Sequence, residues 1–131
     1  MPSENNKKLA EEWFKKAQDD YKSARVILRE GGYYGTTCFL AQQIAEKYFK
    51  GFLIFCGKKV KKIHDLIKLL NECKKVDGGF SALEEECILL NDYYIETRYP
   101  HYAPIDYSRQ EAKLSMEAID RIIEFILAKT D

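Results

Sequence analysis

The sequence has no apolar run that approaches the ~18 residues of a membrane-spanning helix. Between Gly51 and Gly57 it offers only FLIFC. The first residues, MPSENNKKLAEE, are polar, so we expect no signal peptide. The sequence therefore predicts a protein without a membrane partner.

An excess of positive charge is also missing. Lys plus Arg and Asp plus Glu number 21 each, so the formal net charge is zero. Domains that hold nucleic acid by bulk charge are usually clearly basic, which argues against that class and leaves a local basic patch open. The charges are interspersed along the chain, as on solvated helix faces.

Paired cysteines are absent as well. The four cysteines, at positions 38, 56, 73 and 87, form no CxxC pair, and each lies inside an apolar pattern. We interpret them as reduced core residues of a cytoplasmic protein rather than as disulfides or zinc ligands. The sequence also lacks a glycine-rich phosphate loop, HExxH and GxSxG, so most large enzyme classes have no support, and we expect no metal and no cofactor.

The most apolar and aromatic stretch that is present runs from Thr37 to Phe55. Its apolar residues recur at helical spacing and predict a central helix with a broad buried face. The opposite side carries a set that we name the polar stripe: Gln42, Gln43, Glu46, Lys47 and Lys50. This stripe is either a solvated face or a surface that something covers. A half-buried Lys47 would need Glu46 or another acid, or a ligand phosphate, beside it.

The rest of the chain also has helical periodicity, and no segment alternates with period two. We predict helices over about 6–30, 37–55, 63–74, 81–99 and 108–129. Two helix starts match capping boxes, at Ser81–Glu84 and Ser108–Glu111. Three helix ends are marked by Gly31, Gly57 and Pro100. Short links imply an all-α, up-and-down antiparallel bundle of four long helices plus one short helix. We expect a single domain over 1–131, with its core at about 9–128.

Candidate chemistry lies in the segment ETRYPHYAP, residues 96–104. Arg98 offers a rigid fork for phosphate, and His101 belongs to the residue type that moves protons near neutral pH. Together they suffice in principle for metal-independent RNA cleavage. The structural alternative is that Arg98 caps helix carbonyls or pairs with Glu46 or Asp65, while His101 is solvated.

Two further patterns have their own interpretations. His64 precedes Asp65, which is suited to cap the N-terminus of the short helix, and this structural interpretation is the simpler one. The tyrosines at positions 93, 94, 99, 102 and 107 form a dense group that suggests an interface, because tyrosine joins apolar area to a polar tip.

Taken in order, several of these motifs resemble the HEPN family of small α-helical domains. The resemblance covers about residues 9–128 and rests on AQDDY (17–21), GYY (32–34), QQIAEK (42–47), Lys50, Gly57, HDL (64–66) and RYP (98–100). It implies a bundle of four long helices plus a short one, and a homodimer that brings two sites together.

Many HEPN proteins are metal-independent endoribonucleases, often toxins paired with a minimal nucleotidyltransferase encoded beside them; others bind nucleotides or act as partners. Catalytic members separate the arginine and histidine by about four to six residues, whereas only Tyr99 and Pro100 lie between Arg98 and His101. The Arg98-Tyr99-Pro100 variant resembles the subgroup that is paired with nucleotidyltransferases or stands alone. Our first hypothesis is therefore a cytoplasmic dimer that binds nucleotide or RNA phosphate, either alone or as the toxin or partner half of a pair with a minimal nucleotidyltransferase. Its binding residues would be Arg98, Lys47, Lys50, Gln43 and His64. The alternative is a ribonuclease that uses Arg98 and His101.

Overall fold

A computed structural model describes residues 2–60, 62–97 and 106–131. Its helices are α1 (Glu4–Glu30), α2 (Tyr34–Phe55), α3 (Leu66–Val76), α4 (Glu84–Asn91), α5 (Tyr93–Glu96) and α6 (Arg109–Thr130), with a 3-10 turn over Gly78–Leu83. The described ranges contain no strand, so the all-α prediction is confirmed.

Helix α2 lies at the centre of the bundle and contacts α1, α3, α5 and α6. Helix α1 packs antiparallel to it, because Asp20 meets Lys47 whereas the earlier Phe14 meets the later Gly51. The buried residues of α1 are the small Ala10, Ala17 and Ala24, which let the two helices approach closely. A Cβ at Gly51 would lie 2.5 Å from the Phe14 ring, so the close approach expected at this glycine is present.

Local capping fixes the start of α3. The Asp65 side chain accepts hydrogen bonds from the backbone N–H groups of Ile67 (2.9 Å) and Lys68 (3.3 Å), as its place in the sequence predicts. Gly57 adopts a φ of +78° after α2, the left-handed conformation that glycine accepts. The chain can therefore turn sharply between α2 and the residues that lead to His64.

The predicted fourth long helix is divided. Asp77, not Ser81, is the first cap: its side chain accepts a bond of 2.8 Å from the Gly79 N–H and starts the 3-10 turn. Helix α4 then begins at Glu84 without a side-chain cap, so the capping box predicted at Ser81–Glu84 is wrong. The 3-10 turn carries Phe80 fully into the core.

All four cysteines are free thiols, and three of them are buried. Burial raises the pKa of the Cys87 thiol to about 12, so it stays protonated at neutral pH. No helix in the described ranges is long and apolar enough to cross a bilayer. Within the same ranges, no three His, Cys, Asp or Glu side chains gather as metal ligands would.

Candidate functional site

Three members of the polar stripe are buried. Gln42 is 0%, Glu46 5% and Lys50 5% exposed, so this part of α2 is not a solvated face. Polar groups removed from water must find partners, because an unpaired buried charge is costly. The partners of these three residues define the site.

Glu46 lies at the centre of that site. Its Oε2 accepts a hydrogen bond of 2.9 Å from Lys50 Nζ, and its Oε1 lies 3.0 Å from His64 Nδ1. Lys50 Nζ also lies 5.8 Å from the centroid of the Trp13 ring, within cation–π range. One buried carboxylate thus joins a buried ammonium to an imidazole that reaches the surface.

His64 is held by its backbone as well as by its ring. Its carbonyl accepts a bond of 2.9 Å from Gln42 Nε2, and Gln43 Nε2 donates to Gln42 Oε1 at 2.7 Å. Its ring stacks on Tyr94, with centroids 4.5 Å apart and planes 11° from parallel. The side chain is nevertheless 48% exposed. The imidazole is therefore oriented by the protein and still open to solvent.

This orientation fixes what the imidazole can do. An ionised carboxylate only accepts hydrogen bonds, so Nδ1–H donates to Glu46. Within the described ranges no hydrogen bond reaches Nε2. In the neutral ring that outer nitrogen accepts a proton, and in the charged ring it donates a hydrogen bond to an anion such as phosphate.

Lys47 does not join this network. It forms an ion pair with Asp20 of α1, and both side chains are about a quarter exposed. Asp20 is thus the acid beside Lys47, and the expectation of Glu46 in that place is wrong, because the Glu46 carboxylate pairs with Lys50. Of the predicted binding residues, Gln43, Lys50 and His64 come together around Gln42 and Glu46, whereas Lys47 contacts α1.

Arg98 and His101 lie outside the described residues, so their predicted catalytic roles stay predictions. Thr97, on one side of that gap, follows α5, whose Tyr94 lies on His64. Tyr107, on the other side, meets Tyr93 edge to face at 6.1 Å between centroids. The described residues on both sides of positions 98–105 therefore lie beside α5.

The tyrosine group has a different role from the predicted one. Tyr93 and Tyr107 are buried in the core, and Tyr94 is half-buried against His64. The interface interpretation is therefore wrong for Tyr93 and Tyr107, because their rings fill the space between α2, α5 and α6. Tyr99 and Tyr102 lie outside the described residues.

Asn91 supports the site and was missed in the sequence. Its Oδ1 accepts a bond of 2.7 Å from the Leu66 N–H, and its Nδ2 donates to Asp65 at 3.2 Å. The side chain thereby joins the end of α4 to the start of α3, directly beside His64. No spacing pattern indicates such a contact, because the two residues are 26 positions apart.

A family model described as the HEPN domain matches residues 10–129. The solved structure of TT1696 from Thermus thermophilus is 32% identical, with a TM-score of 0.81 over 92% of this chain and 97% of that one. The structure of ST0689, an archaeal HEPN homologue, is 29% identical, with a TM-score of 0.76 over 93% and 98%. No curated protein matches.

Proposed function

The chain belongs to the HEPN domain family, and we propose that it binds nucleotide or RNA phosphate at a site centred on His64. The observation that carries this proposal is the exposed imidazole edge backed by the buried Glu46–Lys50 pair. Because the imidazole ring is already oriented in the free protein, binding a phosphate oxygen does not carry the entropy cost of immobilising this side chain.

The segment that precedes His64, KKVKK at positions 58–62, is basic. Lys58, Lys59 and Lys62 of this segment are exposed. Neither Lys58 nor Lys59 has an acidic partner within the described ranges. The residues that lead to His64 therefore add positive charge close to it in sequence, although the net charge of the chain is zero.

We propose that Arg98 supplies a second phosphate contact. It follows Tyr94 by four residues, and four residues of chain span at most about 14 Å. Because Tyr94 stacks on His64, this length of chain would let the guanidinium fork of Arg98 contact the same ligand. Partnership with a minimal nucleotidyltransferase stays a prediction from the family resemblance.

Replacing His64 with alanine is expected to weaken the binding of a nucleoside monophosphate, or of a short single-stranded RNA, by about tenfold or more. Hydrogen bonds to charged groups contribute about 1.5–3 kcal/mol, and this variant removes one. Fluorescence or calorimetric titration at low salt measures the effect. Binding by the wild-type protein should also weaken as salt rises.

The matched control is Lys68→Ala. Lys68 is exposed in the first turn of α3, so the variant removes a nearby positive charge and leaves the imidazole in place. If His64→Ala and Lys68→Ala weaken binding equally, general charge rather than the oriented ring is responsible. The absence of any binding by the wild-type protein at low salt would refute the function itself.

We further propose that two copies pair through the outer face of α4 and α5. Ile88 is 66% and Ile95 61% exposed. Ile88 lies on α4 and Ile95 on the next helix, α5, seven residues further along the chain. Large exposed apolar side chains in neighbouring patches are typical of interaction sites, and Tyr94 of the binding site also belongs to α5.

The double variant Ile88→Asp, Ile95→Asp is expected to be monomeric where the wild-type protein is dimeric. Charges buried between two copies would have no partner, which opposes association. Light scattering coupled to gel filtration measures the mass. Leu9→Asp, at an exposed leucine on α1, is the control and should leave the dimer intact. A dimer that survives the double variant would place the contact elsewhere.

A further inference from the structure

A second positively charged site lies between the end of α1 and the start of α6, away from His64. Arg25 and Arg29 line one wall of a groove of about 340 Å³, and Arg109 and Lys113 line the other. The floor is apolar and is formed by Leu28 and Met116. Four cations therefore meet in one groove of a chain whose net charge is zero.

The acids of the groove neutralise these cations only in part. Asp120 accepts a hydrogen bond of 2.6 Å from the Tyr21 hydroxyl, which in turn accepts one of 3.3 Å from Arg25. The other carboxylate of the groove, Glu117, forms no ion pair within the described ranges. With Glu30, which pairs with Arg29, three acids stand against four bases and leave an excess of one positive charge.

The unpaired charge is concentrated on the α6 wall. Arg109 and Lys113 have no acidic partner in the described part of the chain, and both are exposed. Arg109 begins α6, where the helix dipole places partial positive charge and where Glu111 is the acid of the first turn. Arg29 pairs only with its sequence neighbour Glu30, at the surface.

The spacing of the cations suits an extended anion. Each wall carries its two cations four residues apart, which on a helix is a rise of about 6 Å. Tyr21 of α1 contacts Asp120 of α6. The later Arg29 of α1 lines the same groove as the earlier Arg109 of α6, so the two helices run antiparallel. The groove therefore presents successive cations along its length.

We propose that this groove binds the sugar-phosphate backbone of single-stranded RNA. The inference rests on the phosphate-binding function proposed above and names its ligand as a polynucleotide. Arginine forks match phosphate oxygens, and the apolar floor lies where a ribose or a base edge would pack. A mononucleotide would engage one end of the groove and leave the remaining cations unpaired.

The test is a salt titration with a fluorescent oligouridylate and the double variant Arg109→Gln, Lys113→Gln. Glutamine keeps the helix propensity of both residues. Each phosphate contact on a single strand contributes about 0.7 to the slope of log affinity against log salt, so the slope should flatten by about 1.4. Affinity at ~50 mM salt should fall about tenfold.

The control is Lys8→Gln, Lys16→Gln, which removes the same charge from exposed positions on the far part of α1. An unchanged slope in the groove variant, or an equal change of slope in the control, would refute RNA binding at the groove. An equal loss of affinity for UTP and for the oligouridylate would mean that a small polyphosphate, not RNA, is the ligand.

His64→Ala separates this inference from the proposed function. If it leaves RNA binding intact while the groove variant flattens the slope, the His64 site fails and the groove stands. If it weakens binding while the groove variant does not, the groove alone fails. A wild-type protein that binds no oligouridylate at low salt would refute both.

Discussion

Replacing Glu46 with alanine is expected to lower the free energy of unfolding by about 3–5 kcal/mol. The change leaves the Lys50 ammonium, which is 5% exposed, without the carboxylate 2.9 Å away. It also leaves His64 Nδ1 without its acceptor. Because small domains have only about 5–15 kcal/mol of stability, this loss would be readily measured by urea denaturation.

Two companion variants identify the cause. Glu46→Leu combined with Lys50→Met removes both charges and keeps the volume, so it should recover most of the stability. Glu85→Ala, at an exposed glutamate of α4, should change stability by no more than about 0.5 kcal/mol. A Glu46→Ala variant as stable as that control would mean that Lys50 is not desolvated in the folded protein.

The Glu46→Leu, Lys50→Met double variant also tests whether Glu46 is needed for binding. The Glu46→Leu, Lys50→Met protein should be folded but should bind phosphate less well, because His64 would no longer have the carboxylate that fixes its tautomer and orientation. A loss of binding without a loss of stability cannot be attributed to unfolding. Stability and orientation therefore depend on the same carboxylate but respond differently to its replacement.

The sequence predicted the polar stripe of α2 but not its partners. Helical periodicity identifies which residues share a face, and Gln42, Glu46 and Lys50 do share one. Their partners come from elsewhere: His64 lies 18 positions from Glu46, and Trp13 lies on α1. Periodicity carries no information on which two faces meet, so Asp20, Asn91 and Tyr94 were not identified as partners.

Local capping signals correctly predicted the starts of two helices, where the capping group and its target are close in sequence. Asp65 caps α3, and Ser108 caps α6 by accepting a bond of 3.0 Å from the Glu111 N–H. The same reasoning failed at Ser81, where Asp77 begins a 3-10 turn first. Burial of Phe80 overrides the capping preference there, because the turn places its ring in the core.

Phe80→Ala is expected to lower the free energy of unfolding by about 3–5 kcal/mol, the usual cost of removing a buried phenylalanine. The ring lies 4.6 Å from the Phe52 ring and 5.0 Å from the Phe125 ring, centroid to centroid, so it joins α2 to α6. The cavity left behind could close only if those helices moved. Urea denaturation measures the loss.

The neighbouring Ser81→Ala is the control, since Ser81 is exposed in the same turn and should cost no more than about 0.5 kcal/mol. Equal stabilities for the two variants would mean that the core closes around the missing ring. Below its unfolding transition, Phe80→Ala should bind phosphate like the wild-type protein, because it leaves the hydrogen bonds of His64 with Glu46 and Gln42 in place. Weaker binding by this folded variant would show that the packing of α2 against α6 also positions the imidazole.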